Sequence, residues 1–499
     1  LLASIRIPSP SVGRALALNG AMVLATAGLM LCLDGTRDGD LYLQLASGRF
    51  IAGHGLVNAD PFQTIAHGEP WLNQQWLTEL LVYHLVRWIG VTGLTVVYAG
   101  LLAAPLGLLL WLCRRKGIAM MAALAALYCP GLWMIVHPRA AGFSILCFSL
   151  LVTIVGLSWL RCGPGPPPPR RLLWAVPATL AVFALWANLH GGFIAGLALI
   201  GVVAVGLALE RFLGLAGALR SSQIGLLAAT GMLAAGTVLV ATPLGSGLLA
   251  YLASFGNPAI ALASSEWRPA LQSPLATAYL VVAAVFAAWL LAKNRRAHGL
   301  TPGLVVVAFL ALALVSLRNI VFVGPVLALA IASLAPDRRM RIPLPLIGLT
   351  AAAAAALGAT WALAVGPARN EPLLDARLIG YALRHPPPRG HIAAYAGIGS
   401  YMLWRSPRAP VELDGWLEHF TQAELRDTYL ILDGRATEPM RLVRRLRIGA
   451  VIADRRRAIE VLRAHGFAIE FRNRAGAYLV DEGGPSSPGR SRARPYRKK

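Results

Sequence analysis

Uninterrupted apolar stretches, each long enough to cross a bilayer, recur through the first 365 residues of this 499-residue chain. A helix needs about 17–25 such residues to span the hydrocarbon core. The runs lie near 15–33, 91–113, 117–136, 142–160, 172–187, 192–209, 222–241, 274–292, 300–317, 320–335 and 343–365. Lipid offers the backbone no hydrogen-bond partner, so each run is predicted to be a helix. Charged residues make up only 14% of the chain and hydrophobic ones 57%, whereas a soluble domain carries about a quarter charged residues. The expected fold class is an all-α polytopic membrane protein of about eleven transmembrane helices, with a small C-terminal α/β domain. No repeat with a period of about 20–50 residues is visible, which argues against a solenoid. The first run follows Arg6 and Arg14, as a signal peptide would. It lacks a convincing small-x-small cleavage site and is read as a retained helix.

The net charge of +23 would suggest nucleic acid, but the placement of the charges argues otherwise. Of the 46 Lys and Arg, 24 follow residue 366, and most others flank apolar runs. With a cytoplasmic N-terminus, the inside segments hold 16 basic residues and the outside segments 6. That asymmetry sets orientation by the positive-inside rule, so no nucleic-acid partner is expected. The five cysteines (Cys32, Cys113, Cys129, Cys147, Cys162) lie in or beside apolar runs without a CxxC pair. They are read as small packing residues.

Three parts are expected: a transmembrane domain over 1–366, an extracytoplasmic α/β domain over 367–482, and a basic disordered tail over 483–499. The first outside loop, 34–76, is too long for a simple turn, and loops of that length tend to be functional. Trp76–Ile89 reads as an interfacial helix entering the second span. In the C-terminal part, strands are expected at His391–Tyr395, Pro410–Leu413 and Gly449–Ala453, with a hairpin over Phe467–Phe471 and Ala477–Val480. Helices are expected over Thr421–Leu432 and Arg455–His465.

The assigned spans contain no Asp, Glu, Lys, Arg or His, which disfavours an ion-coupled transporter, because coupling groups sit near the midplane. Polar residues cluster instead at the predicted outer helix ends. One cluster is Asp38 and Asp40 with Arg49; a second holds Asn73, Gln75 and Trp76. A third joins His137 and Arg139 to Asn188 and His190, and the last holds Glu266, Trp267 and Arg318. Each has a plainer role as an interfacial Trp anchor, a helix cap or an arginine snorkelling to headgroups. Together on one face, carboxylates, cations and indole rings suit an anionic lipid headgroup carrying a sugar.

The stretch DGDLYLQLASGRFIAGHGLVNADPFQTIAHGEPWLNQQWL is similar to the opening of a bacterial family in which DPDLWWHLxTGxWI is followed by TDPFS and PWxxxEWL. The later NLHGGF, EWRP and LDGW segments also fit. The long first outer loop resembles that of the GT-C-fold integral-membrane glycosyltransferases, relatives of protein mannosyltransferases, aminoarabinose transferases and rhizobial glycosyltransferases. The resemblance implies a polyprenyl-phosphate-sugar donor held at the membrane, with a first-loop acid acting as base on the acceptor hydroxyl. By position Asp38 is the first choice and Asp40 the second. Arg139, His190, Arg318 and His137 are candidates for the donor phosphate. Arg49, Asn73, Gln75, Trp76, Asn188, Glu266 and Trp267 are candidates for substrate contact. The chain departs from the pattern at Gly39 for Pro, Tyr42-Leu43-Gln44 for Trp-Trp-His, Gln75 for an acid and Trp416 for Arg. An Asp-x-Asp pair is able to hold a divalent cation, and the sequence leaves open whether one is needed. Two rival readings stand beside the enzyme: a transporter or flippase of lipid-linked sugars, and a non-catalytic membrane scaffold.

Overall fold

The computed structural model describes residues 39–132, 135, 137–160, 169–215, 219–294, 300–338 and 376–482. The expected first and eleventh spans, Asp38 and the tail 483–499 lie outside these residues. Among the described residues, seven helices are long and apolar enough to cross a membrane, and two more are shorter and apolar. Each of the nine expected spans within these residues overlaps one of them.

The first described helix, α1 (Gly39–His54), lies within the first loop. It is followed by α2 (Trp76–Leu112), which is broken at Gly90, where φ is +71° and ψ 177°. That left-handed backbone costs glycine little and other residues more, so the break separates the amphipathic Trp76–Ile89 half from the apolar span. The bundle continues through α3 (Ile118–Gly131), α4 (Ala141–Ser158), α5 (Pro169–Leu189), α6 (Phe193–Phe212) and α7 (Ser221–Ala241). A short α8 (Gly247–Ser254) precedes α9 (Pro274–Lys293) and α10 (Leu300–Val315). A 3₁₀ segment, Leu317–Phe322, then runs into α11 (Val323–Leu334). Large rings fill the bundle interior: Phe148 packs against Trp186, Phe309 and Phe322 with centroids 4.7–6.4 Å apart. The outside of the bundle is also apolar. Val240 of α7 is 87% exposed, as befits a surface that meets lipid rather than water.

The two ends of the bundle differ. At one, Arg115 and Lys116 pair with Asp337 at 3.2 and 2.9 Å. At the other, the turns carrying Arg139, His190, Glu266 and Arg318 converge beneath the C-terminal domain.

That domain has a four-stranded sheet in the order β1-β2-β4-β3. Its strands are β1 (His391–Ala393), β2 (Ile448–Ala453), β3 (Phe467–Arg472) and β4 (Ala477–Asp481), with β1 parallel to β2 and the other pairs antiparallel. Alternation along β2 sends Ala450 and Ile452 to one face and Val451 and Ala453 to the other. The first face packs on α12 (Ala376–Arg384), α13 (Ala396–Arg405) and α1. The second packs on α14 (Gln422–Leu432), α15 (Pro439–Arg445) and α16 (Arg456–Ala464). Instead of the expected strand at Pro410–Leu413, only one bridge forms, between Ile392 and Val411. Helices α12, α13 and α15 were not anticipated. Helix α1 shares a core with α13, through contacts such as Tyr42 against Tyr401 at 4.6 Å, so the first loop packs directly on the C-terminal domain.

Candidate functional site

A cavity of about 540 Å³ opens where the bundle end meets the C-terminal domain. Its walls include Asp40, Arg139, His190, Glu266, Trp267, Arg318 and Gln75, drawn from four sequence clusters. The remaining candidates stand aside from it. Arg49 donates to the Leu403 carbonyl at 2.9 Å and lies over the Trp404 ring at 4.7 Å, tying α1 to α13. Asn73 donates to Glu79 at 2.6 Å. Trp76 Nε1 donates to Asn188 Oδ1 at 2.8 Å, while Asn188 caps the Ala184 and Ala241 carbonyls. His137 keeps its Nδ1 buried without a hydrogen-bond partner. Arg49, Asn73, Trp76 and Asn188 are thus engaged with other parts of the protein outside the cavity.

Arg139 is the hub of one end of the cavity. Its guanidinium bonds Glu266 through both terminal nitrogens and Asp40 Oδ2 at 2.6 Å. The Arg139 side chain is 9% exposed, Glu266 20% and Asp40 45%, so the acid that faces the cavity most openly is Asp40. The sequence made Arg139 a phosphate ligand; in the fold it is occupied by two carboxylates that lie 99 and 127 residues away along the chain.

Arg318 forms the other end. Its guanidinium lies 4.3 Å from the Trp267 ring centroid and 5.7 Å from that of Phe255. Among the described residues no carboxylate lies within ion-pairing distance of it. Its position is fixed by the backbone: Ser316 Oγ donates to the Glu266 carbonyl at 2.9 Å, and Leu317 N to the Arg268 carbonyl at 3.0 Å. These bonds bring together the Glu266–Arg268 and Ser316–Arg318 segments, which the sequence analysis grouped as one cluster.

His190 stands between these cations, and its tautomer follows from its neighbours. Trp186 Nε1 can only donate, and it bonds Ser144 Oγ at 2.7 Å; that hydroxyl lies 2.7 Å from His190 Nδ1. The Gly192 amide, another obligate donor, also meets Nδ1, at 3.2 Å. Nδ1 is thus the acceptor, and Nε2 carries the proton. Burial pushes this imidazole well below the usual histidine range, and Arg318 and Arg139 add to that. It stays neutral and serves as a donor. The glycines beside it make room for protein side chains: a Cβ on Gly191 would sit 2.7 Å from Tyr251 Oη, and one on Gly192 2.3 Å from Ser144 Oγ.

The C-terminal domain closes the cavity with Gly415–Glu418. Ser400 Oγ accepts from Gly415 N at 2.9 Å, and Asp414 Oδ1 accepts from Trp416 N at 2.9 Å. Burial pushes the Asp414 carboxyl up to about 7, with Asp60 beside it acting the same way. His419 Nδ1 approaches Asp60 Oδ2 at 3.4 Å, joining this loop to the first loop. Burial also raises the Glu418 carboxyl. Ser144, Tyr251 and Glu418 were not singled out in the sequence, since none sits in a cluster that marks it. Among the described residues, no three His, Cys, Asp or Glu side chains are grouped to hold a metal ion.

The architecture is matched by solved structures. The archaeal oligosaccharyltransferase AglB from Archaeoglobus fulgidus, in complex with an inhibitory peptide and a dolichol-phosphate, superimposes with a TM-score of 0.54 at 11% identity. The match covers 89% of this chain and 69% of that one. ArnT from Cupriavidus metallidurans in the apo state gives 0.50 at 14% identity, covering 94% and 99%. The fold is that of the GT-C membrane glycosyltransferases. No protein-family model matches the chain, and no curated protein matches it in sequence. The likeness therefore lies in the architecture.

Proposed function

We propose that this protein is a membrane glycosyltransferase that moves a sugar from a polyprenyl-phosphate donor to an extracytoplasmic acceptor. The observation that carries the reading is the cavity itself. One end holds carboxylate gripped by Arg139; the other offers Arg318 and the His190 Nε2–H group. A phosphate at the Arg318 end meets one fixed cation and one neutral donor at helix termini, so little charge enters the hydrocarbon core. The prenyl chain leaves along the apolar bundle surface.

In this reading a first-loop aspartate, Asp38 or Asp40, takes the proton from the acceptor hydroxyl. The acceptor oxygen bonds the anomeric carbon as the bond from that carbon to the phosphate oxygen breaks. The electron pair departs with the polyprenyl phosphate, whose charge Arg318 and His190 stabilise. A single displacement inverts the anomeric centre. The Asp40 carboxylate is aimed by Arg139, which suits the base role; Asp38 precedes the first described residue by one position. Loss of a general base typically costs about 10² to 10⁴ in rate. Asp38→Asn or Asp40→Asn is expected to lose turnover on that scale while still binding donor, and near wild-type turnover in both overturns the assignment. The orientation rests on the basic asymmetry. Reporter fusions at Gly165 and after Glu482 are expected to read opposite sides of the membrane; the same side for both contradicts it.

A further inference from the structure

Two buried amides at the edge of the Arg139 cluster have no evident use in the chemistry above. Gln44 is 1% exposed and Gln74 2%, and both line the cavity. No protein donor among the described residues reaches Gln44 Oε1; the Gln74 amide meets the Tyr251 hydroxyl, which leaves its own Oε1 without a donor. A buried carbonyl without a donor costs about 1–3 kcal/mol, and native structures rarely tolerate it except where a site is built for something else. Gln44 lies one turn beyond Asp40 on α1, so both side chains share a face of that helix. Gln75, beside Gln74 and also at the cavity wall, directs its amide nitrogen toward Glu79 at 3.4 Å.

We infer that Gln44, Gln74 and Gln75 form the glycosyl subsite of this cavity, and that it takes an uncharged sugar bearing hydroxyls only. The inference rests on the donor reading above and names the substrate class within it. An amide accepts from a hydroxyl through Oε1 and donates to one through Nε2, which matches the alternating polarity of a polyol. Asp40 and Glu266 share the single Arg139 guanidinium, two carboxylates to one cation. A sugar carboxylate here would meet neutral amides and an excess of acid, losing its hydration without a counter-ion. A sugar ammonium would have to compete with Arg139 for the same carboxylates. Two of the departures from the resembled sequence pattern fall in this patch, Gln44 for a His and Gln75 for an acid. Both exchange an ionisable side chain for a neutral one.

The test measures binding to the full chain in nanodiscs, with four synthetic lipids as probes: nerylneryl phosphate and its glucosyl, glucosaminyl and glucuronosyl derivatives. The glucosyl lipid is expected to bind about tenfold more tightly than the bare phosphate, the scale of one or two net neutral hydrogen bonds, and more tightly than either charged sugar. Gln44→Met and Gln74→Met keep the side-chain volume and are each expected to remove about three- to tenfold of that preference. Binding of the bare phosphate, which also reports folding, stays unchanged. Equal binding of the bare and glucosyl lipids by the wild type overturns the subsite and leaves the donor reading intact. Preference for the amino or carboxyl sugar overturns the neutral-sugar assignment, as does equal weakening of all four lipids by the variants. If no prenyl phosphate binds at all, the donor reading falls and takes the subsite with it.

Discussion

Arg139 and Arg318 look alike in the sequence: each lies at the end of an apolar span beside a second polar residue. In the fold they do different work. Arg139 is buried between Asp40 and Glu266, its charge already matched by carboxylates. Arg318 rests on the Trp267 and Phe255 rings, which attract a cation without neutralising it. The first is a clamp that orders acids from α1 and from the segment before α9. The second keeps its positive charge available to an anion. Equivalent charge at equivalent helix ends thus says little about role; what faces each guanidinium decides it.

The sharpest way to break this comparison is to remove Arg139. Arg139→Met leaves two carboxylates facing each other in a confined site. Unpairing a fully buried partner costs about 3–5 kcal/mol. Because Asp40 is half exposed, about 1–3 kcal/mol of folding stability is the expected loss, read as a fall in apparent Tm in detergent. Adding Asp40→Asn and Glu266→Gln to the same chain is expected to restore most of it. Arg318→Ala, which forfeits ring contacts and a longer-range attraction to Glu418 rather than a close ion pair, is expected to cost less than about 1 kcal/mol. Equal losses from the two single variants would erase the distinction.

Much of the architecture was legible beforehand because burial in lipid leaves an unambiguous trace. Nine apolar runs within the described residues became apolar helices, and the Trp76–Ile89 segment forms its own helical half, set off at Gly90. The C-terminal hairpin was readable from alternation. Helix α13 was not, because AGIGSYMLWR is nearly all core and carries no polar face to set a period. The site was legible as a list of clusters and illegible as a set of partnerships. Nothing in a linear reading joins Arg139 to Asp40 and Glu266, or Trp76 to Asn188, since those contacts span 99 to 127 residues. Ser144 escaped notice for a related reason: it is one serine in an apolar helix, and only the fold sets it between Trp186 and His190.

A finer probe of the Arg318 end uses pH. His190 is held well below the ordinary histidine range by burial and by the two arginines, so it remains neutral where a normal imidazole would titrate. Were it to gain a proton, the added charge would tighten an anionic donor as pH falls. The Asp414 and Glu418 carboxyls beside the cavity are raised by burial, so the probe compares wild type with His190→Gln: the pH dependence of prenyl-phosphodiester affinity from about pH 6 to pH 8 is expected to be the same in both. A tightening with a midpoint near pH 6.5 that is lost in His190→Gln would mean an ordinary, titrating imidazole and would contradict the neutral His190.

The donor is what most separates a lipid-linked-sugar transferase from its rivals, and one binding measurement reaches it directly. Wild-type protein and Arg318→Ala are reconstituted in nanodiscs and titrated with a prenyl-phosphate-linked sugar, with a soluble nucleotide sugar as control. The lipid-linked form is expected to bind and the nucleotide form not to. Arg318→Ala is expected to weaken the lipid form by about 1.5–3 kcal/mol, the range of a charge-assisted contact. Binding of the nucleotide sugar in place of the lipid form, or unchanged lipid affinity in Arg318→Ala, would contradict it.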